Sequence, residues 1–156
     1  MTSNSNVIQN AIQQMNKELL ALREFVALLS TEQQSLLNND TDSLLGITEA
    51  KTNAANQLMD MSRSRRQSLL GNNLDNMETW IAQNSPQSKA LWSDIRKLAD
   101  QAQQLNTTNG ELINSQMRHN QQALNILYNS SKSAAGIYGP DGQANLNSSG
   151  RHLGSG

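Results

Sequence analysis

The chain has 156 residues and a formal net charge of −1, from 12 basic and 13 acidic side chains, and it contains no cysteine. Because a protein that neutralises many phosphates usually carries a basic excess, this charge balance argues against nucleic acid as a partner. The absence of cysteine excludes disulfides, thiolate metal sites and cysteine nucleophiles. The 20 asparagines and 16 glutamines, with an aromatic content of 3%, favour long helices with narrow apolar stripes over a dense enzyme core.

The N-terminal segment and the hydropathy pattern bear on where the protein acts. The first ten residues lack a basic region followed by an apolar core, so we expect no secretory signal. No apolar run approaches the roughly 18–20 residues that a membrane span needs. We therefore expect a soluble, cytoplasmic protein.

Two long helices are predicted in the first half of the chain. The first, at about residues 6–37, follows apolar residues with the alternating three- and four-residue spacing of a coiled-coil seam: Ile8, Ile12, Met15, Leu19, Leu22, Val26 and Leu29. The second, at about residues 41–70, begins near the N-cap candidate Asp40 and ends before Gly71, a suitable C′ residue. Because the intervening loop is short, the two helices should form an antiparallel hairpin.

The charged residues of this hairpin are interpreted as mainly solvated. The run RSRR at residues 63–66 lies near the end of the second helix, where the helix dipole favours cations, and an anion site is the alternative. Lys17 and Glu18 are too close in sequence for an i,i+4 pair, so both are expected in solvent. Lys51 interrupts the second apolar stripe and is expected to extend its ammonium to the edge of the interface.

A short helix at about residues 73–83 and a long helix at about residues 86–129 complete the predicted elements. In the short helix, Trp80 is expected to cover the end of the hairpin rather than to bind a ligand. Ser85 as N-cap and Pro86 at N1 mark the start of the long helix, which would be about 65 Å long. Its apolar stripe rotates around the helix near Gly110, where the a/d positions become polar.

The end of the chain loses its periodicity after Tyr128. The sequence GPDG at residues 139–142 suits a type I turn with Pro140 at i+1, and residues 131–156 are expected to be a flexible tail. The predicted fold is all-α: an elongated antiparallel hairpin plus a long third helix, a three-helix coiled-coil-like bundle. The helical domain would span residues 1–130.

Motifs that carry chemistry are missing from the sequence. It has no phosphate loop, dinucleotide fingerprint or nucleophile elbow, and His119 and His152 have no carboxylates at metal-ligand spacing. We therefore expect no enzymatic activity, no cofactor and no metal. What remains is a set of apolar residues towards the C-terminus that suits docking of a partner helix: Ile113, Met117, Leu124, Leu127, Tyr128, Ile137 and Tyr138. The alternative is that they complete the core of a bundle or an oligomer.

Several segments together resemble the FlgN-type flagellar export chaperones. They are the heptad pattern of the first helix, LLNNDTDSLLGITEAK at residues 36–51, ALWSDIRKLADQAQQLNTTNGELINSQM at residues 90–117, and YGPDGQ at residues 138–143. The resemblance covers most of the chain. It implies a cytoplasmic chaperone of flagellar type III export that binds the C-terminal regions of hook–filament junction proteins, prevents their early assembly and delivers them to the export gate. It also implies that the client binds to the C-terminal part of the chaperone.

Other functions stay open at this point. An exported or self-assembling axial protein also lacks cysteine, has few aromatic residues and carries heptads near its termini, and it would polymerise with rising concentration. A general helical adaptor would instead hold a small molecule or a signalling partner. The remaining apolar face could equally pair with itself, so a homo-oligomer is compatible with each function.

Overall fold

The computed structural model describes residues 2–71 and 76–138. Helices make up the described chain, in the order α1 (Thr2–Leu37), α2 (Thr41–Leu69), α3 (Met77–Asn84), a 3₁₀ turn (Pro86–Ser88) and α4 (Lys89–Tyr138). The all-α prediction is confirmed, since these residues contain no strand. None of the helices in the described ranges is long and apolar enough to cross a membrane.

The chain divides into two compact units, residues 1–112 and residues 113–156. The first unit contains α1, α2, α3 and the first part of α4, and the second begins within α4 at Ile113. The predicted domain boundary near residue 130 stays a prediction.

The connection between α1 and α2 is built from backbone hydrogen bonds at a left-handed residue. Asn39 has φ +56°, and the Asp40 N–H donates to the carbonyl of Ser35 at 2.9 Å. Asp40 occupies the N-cap position of α2, although its side chain makes no capping hydrogen bond. At the other end of α2, Gly71 has φ +57° and donates its N–H to Arg66, which agrees with its predicted C′ role.

Helices α1 and α2 run antiparallel. Glu18 of α1 pairs with Arg65 of α2, and Glu32 of α1 pairs with Lys51 of α2, so residue numbers rise along one helix as they fall along the other. The hairpin prediction is therefore confirmed. Lys51 lies at the interface and is partly exposed, as its place in the apolar stripe predicted.

The core of the first unit lies along the predicted seam of α1. One cluster of buried side chains joins α1 to the end of α2, to α3 and to α4; its members are Met15, Leu19, Leu22, Leu70, Met77, Ile81 and Ile95. A second cluster joins Val26 and Leu29 of α1 to Ala102 of α4. Because later residues of α1 meet later residues of α4, these two helices run parallel. Each fully buried large apolar side chain contributes roughly 1.5–3 kcal/mol, so these clusters hold the helices together.

The segment between α2 and α4 differs in detail from the prediction. Helix α3 begins at Met77, where the Asn76 side chain accepts a hydrogen bond from the Thr79 N–H at 2.9 Å. The predicted start of this helix, at residue 73, lies outside the described residues. Trp80 packs against the first core cluster, consistent with a covering role.

Ser85 is an N-cap with Pro86 at N1, as predicted, but it caps a 3₁₀ turn that precedes α4, and its side chain makes no capping hydrogen bond. Ser85 ends α3, its hydroxyl lies 2.7 Å from that of Ser88, and both side chains are buried. Pro86 opens a 3₁₀ turn, in which the Ser88 N–H donates to the Ser85 carbonyl, and α4 starts at Lys89. A proline in the first turn fits either helix type, because its missing N–H has no intrahelical acceptor there.

Helix α4 continues to Tyr138, nine residues beyond its predicted end at Asn129. The apolar stripe ends near Tyr128 while the helix continues, because a stripe indicates which residues are buried and not how far the helix extends. Ala134 and Ala135 favour a helix, and the helix stops two residues before Pro140. The predicted turn at residues 139–142 and the rest of the tail lie outside the described residues.

Candidate protein-binding surface

The apolar residues predicted to bind a client lie on the part of α4 that belongs to the second unit. Four of them are exposed: Met117 (62%), Leu124 (65%), Leu127 (65%) and Tyr128 (51%). Ile113 is half-buried. From residue 117 to residue 130 every described side chain is exposed, so this stretch contributes nothing to the core described above.

These side chains share one face of the helix. Successive residues of an α-helix turn by about 100°, so the residues at 113, 117, 124, 127 and 128 fall within an arc of roughly 100°. Ile126, which is 68% exposed, lies on the other side of the helix. We call the face formed by Ile113, Met117, Leu124, Leu127 and Tyr128 the α4 face.

The α4 face is suited to contact another protein. Contiguous apolar surface rimmed by polar residues marks interaction sites in soluble proteins. Arg118 and His119 lie outside the arc and are exposed, whereas the exposed Asn120 lies within the arc, among the apolar residues. An amphipathic helix of this kind binds the apolar face of a partner helix.

A buried ion pair lies in the first unit, where solvated charges were expected. Arg65 donates to both carboxylate oxygens of Glu18, at 2.8 and 3.2 Å, and the two side chains are only 8% and 7% exposed. The guanidinium also donates a hydrogen bond to the Ser62 hydroxyl at 3.1 Å. It lies over the Trp92 ring, 4.6 Å from the ring centroid. The prediction that Glu18 and the RSRR run are solvated is therefore wrong at Glu18 and Arg65. Sequence spacing could not identify the partner of Arg65, because the two residues are 47 positions apart.

The indole of Trp92 connects this pair to a second, exposed one. Its Nε1–H donates to a carboxylate oxygen of Glu78 at 3.1 Å, and Arg96 donates to the same oxygen. The hydrogen bonds from Trp92 and from the backbone N–H of Glu78, followed by the Arg96 guanidinium, hold the pKa of Glu78 below its ordinary value of 4.5. The ring orientation of Trp92 is consequently fixed at its edge by Glu78 and on its face by Arg65.

A second polar layer lies deeper along the seam of the first unit. The Asn109 side-chain amide donates to the Leu29 carbonyl and to Glu32, both at 2.8 Å, and Lys51 donates to the same Glu32 carboxylate. Asn109 is fully buried, and its Oδ1 has no hydrogen-bond partner among the residues that the structure describes. The a/d pattern of α4 does reach Asn109, which was the sequence signal for a buried polar position.

These polar groups are arranged for pairing rather than for chemistry. Each described buried carboxylate faces a cation, and no group of three His, Cys, Asp or Glu side chains within residues 2–71 and 76–138 is placed to hold a metal ion. Such pairs align helices with one another, because leaving one partner buried alone is costly.

Comparison with known proteins assigns the chain to a family. The sequence profile of the family described as "FlgN protein" matches residues 1–146. Two flagella synthesis proteins FlgN are each 26% identical over 140 residues, which is 88% of this chain and 91% of theirs. One is from Yersinia enterocolitica and the other from its serotype O:8 / biotype 1B strain NCTC 13174 / 8081. No solved structure gives a significant match. Because the family profile covers nearly the whole chain, the protein belongs to the FlgN family.

Proposed function

We propose that this protein is a cytoplasmic export chaperone of the bacterial flagellar type III system. Its clients would be the hook–filament junction proteins, bound through their C-terminal helices before they assemble. The chaperone would keep these helices from pairing early and would deliver the clients to the export gate. Membership of the FlgN family supports a role in building the flagellum, and the surface described above supports protein binding.

The observation that carries this proposal is the exposed α4 face. Met117, Leu124 and Leu127 are all more than 60% exposed on one side of a helix that has no buried residue from 117 to 130. A client's amphipathic C-terminal helix would bury its own apolar face against them. We include Ile137 and Tyr138 in the proposed site because α4 extends to Tyr138.

The energetics favour a complex that forms and separates. Burying a large apolar side chain fully contributes roughly 1.5–3 kcal/mol, and the α4 face offers five of them. Association itself costs about 4–15 kcal/mol, so the net affinity should be moderate. A moderate affinity suits a chaperone, which must release its client at the export gate.

Calorimetric titration with C-terminal peptides of the junction proteins tests the proposal. The full chain should bind these peptides saturably, and a chain ending at Asn129 should bind more weakly if Ile137 and Tyr138 contribute. Equal binding by both chains would remove the last 27 residues from the site and keep the α4 face. No binding by either folded chain, together with concentration-dependent polymerisation, would favour a self-assembling structural protein instead.

A matched pair of variants tests the face itself. Leu127→Asp should weaken peptide binding by at least about tenfold, because a carboxylate would be desolvated in the apolar contact. Ile126→Asp introduces the same charge at an adjacent position with nearly the same exposure, but on the other side of the helix. It should leave binding unchanged. Equal weakening by both variants would contradict the assignment of the α4 face.

A further inference from the structure

Two neighbouring cavities open on the first unit, one on each side of Trp92. One has a volume of about 320 Å³ and the other about 480 Å³. Both are lined by Trp92 and by Glu78, so these two side chains form the wall between them. Neither cavity is lined by residues of the α4 face.

The smaller cavity is mainly apolar. Its walls include Ile81 and Ala82 of α3, Pro86 of the 3₁₀ turn, and the Trp92 ring. We call it the apolar cavity. Its size accommodates one large aliphatic or aromatic side chain, and the walls would remove that side chain from water. Lys89 stands at its edge as an exposed cation.

The larger cavity is lined by three arginines against one carboxylate, and we call it the arginine cavity. Arg65 is neutralised by the buried Glu18, and Arg96 pairs with Glu78. Within the described residues no carboxylate pairs with Arg66, which is exposed on the cavity wall. The lining therefore carries an excess of positive charge on a protein whose net charge is −1.

The wall between the cavities is fixed before any partner arrives. Trp92 is held by Glu78 at its N–H edge and by Arg65 on its face, as described above. Arg96 uses one N–H on Glu78, and a guanidinium has five donors, so it retains donors for a second anion. A preorganised site of this kind loses little side-chain entropy on binding.

We propose that this double cavity binds an acidic peptide segment of a partner protein. An apolar side chain of that segment enters the apolar cavity, and a carboxylate within a few residues pairs with Arg66 and Arg96 in the arginine cavity. Charge complementarity selects an acidic over a basic segment, and the apolar wall selects a segment with a large apolar anchor. This site goes beyond client binding at the α4 face, since it uses other residues and another chemistry.

Nuclear magnetic resonance titration of the full, ¹⁵N-labelled chain tests the site. The probe is a blocked peptide of sequence SEFDLES, and its controls are SKFKLKS, with reversed charge, and SEGDGES, without apolar side chains. The chain has two tryptophans, so two indole N–H signals are available, and that of Trp92 reports on both cavities. We expect SEFDLES to shift the Trp92 signal saturably with a Kd of about 1 mM or tighter, and the control peptides to bind at least about tenfold more weakly.

Variants at exposed positions separate the two halves of the site without disturbing the core. Arg66→Glu should weaken binding of SEFDLES by at least about tenfold, and Ala82→Phe should do so by filling the apolar cavity. Arg63→Glu makes the same charge change one turn away, at a residue that does not line either cavity, and should leave binding unchanged. Circular dichroism would verify that each variant is folded.

Three results would overturn the proposal. The first is no shift of the Trp92 signal by SEFDLES at millimolar concentration. The second is an equal response to SKFKLKS, or an equal loss of binding in Arg63→Glu, because either would remove the role of the arginine cavity. The third is a concentration-dependent dimer that Arg66→Glu dissociates, because the occupant would then be a second copy of this chain.

Discussion

Replacing Arg65 by methionine should destabilise the first unit more than any change at an exposed arginine. The methionine keeps most of the apolar stem of the side chain and removes the guanidinium. Glu18 would then remain buried between α1 and α2 with neither of the hydrogen bonds that Arg65 now donates, at 2.8 and 3.2 Å. Trp92 would also lose the cation above its ring.

The magnitude follows from the burial of both partners. Their side chains are 8% and 7% exposed, so solvent screens the pair little. Removing one member of such a pair typically costs about 3–5 kcal/mol, because an uncompensated charge stays buried. The lost cation–π contact adds about 0.5–2 kcal/mol. Since a small domain is stable by about 5–15 kcal/mol in total, this one substitution should remove a large fraction of its stability.

Urea unfolding followed by circular dichroism measures this loss, and a double variant isolates its cause. Glu18→Leu with Arg65→Met replaces both charges by apolar groups, so no charge is left buried. We expect the double variant to recover most of the stability that Arg65→Met loses, because apolar replacements of buried ion pairs are often neutral or stabilising. Arg63→Met is the control at a solvated arginine, whose side chain is 62% exposed, and should cost less than about 1 kcal/mol.

Two results would refute the conclusion that the buried Arg65–Glu18 pair stabilises the first unit. If Arg65→Met cost no more than Arg63→Met, the Glu18 carboxylate would be solvated or protonated without its partner, and the buried pair would not hold the helices together. If the double variant were less stable than Arg65→Met, the missing charges would not explain the loss, and packing by the arginine stem would be the cause.

Two smaller effects follow from local geometry. Because the pKa of Glu78 is lowered on folding, its ionised form adds stability above its ordinary pKa of 4.5, and this is lost as pH falls through the lowered value. Glu78→Gln should therefore flatten the stability curve as the pH falls below about 4.5, and unchanged curves would contradict this. Gly46→Ala should stabilise α2 by up to about 1 kcal/mol, since an added Cβ meets no atom within 4 Å. Gly71→Ala should destabilise the protein by a similar amount, because Gly71 has φ +57°. Urea unfolding measures the change in the free energy of unfolding for both variants, and two changes of the same sign would refute the backbone argument.

The sequence predicted the structure correctly where interactions between residues close in sequence determine it. The seam from Met15 to Leu29 is buried as its spacing predicts, because burial on a helix follows its period. The end of α2 at Gly71 was also predictable, since a left-handed C′ residue favours glycine. The a/d pattern of α4 also reaches Asn109, but its polar side chain was interpreted as a rotation of the stripe, and its burial was not predicted.

The wrong predictions concern contacts between residues distant in sequence. The apolar stripe of α2, which includes Leu58 and Met61, continues by its next step of four to Arg65 and not to Arg63 or Arg66, so the sequence did mark the buried arginine. Its partner Glu18 was not predictable, because that contact depends on how α1 and α2 pack. The double cavity escaped prediction for the same reason, because its walls come from α2, α3 and α4 together.

The exposure of the α4 face bears on how stable the helix is in the part of α4 that we propose to bind the client. From residue 117 to residue 130 no described side chain is buried, so burial of apolar side chains contributes little to the stability of this stretch. Isolated helices in water are marginal, and most helical stability in proteins comes from burying an apolar face. Backbone amides in this stretch should therefore exchange with deuterium by local opening, at least about a hundredfold faster than those between Met15 and Leu36 of α1.

A bound client peptide should slow this exchange, because burial of Leu124 and Leu127 would supply the missing packing. The same coupling would hold the affinity down, since part of the binding free energy would be spent on ordering the helix. Ile126→Asp, on the other side of the helix, should leave the protection by the peptide intact, whereas Leu127→Asp should abolish it. Exchange in the free chain as slow as in α1 would refute this reasoning, because the helix would then be stable without a partner and the client would bind a preformed surface.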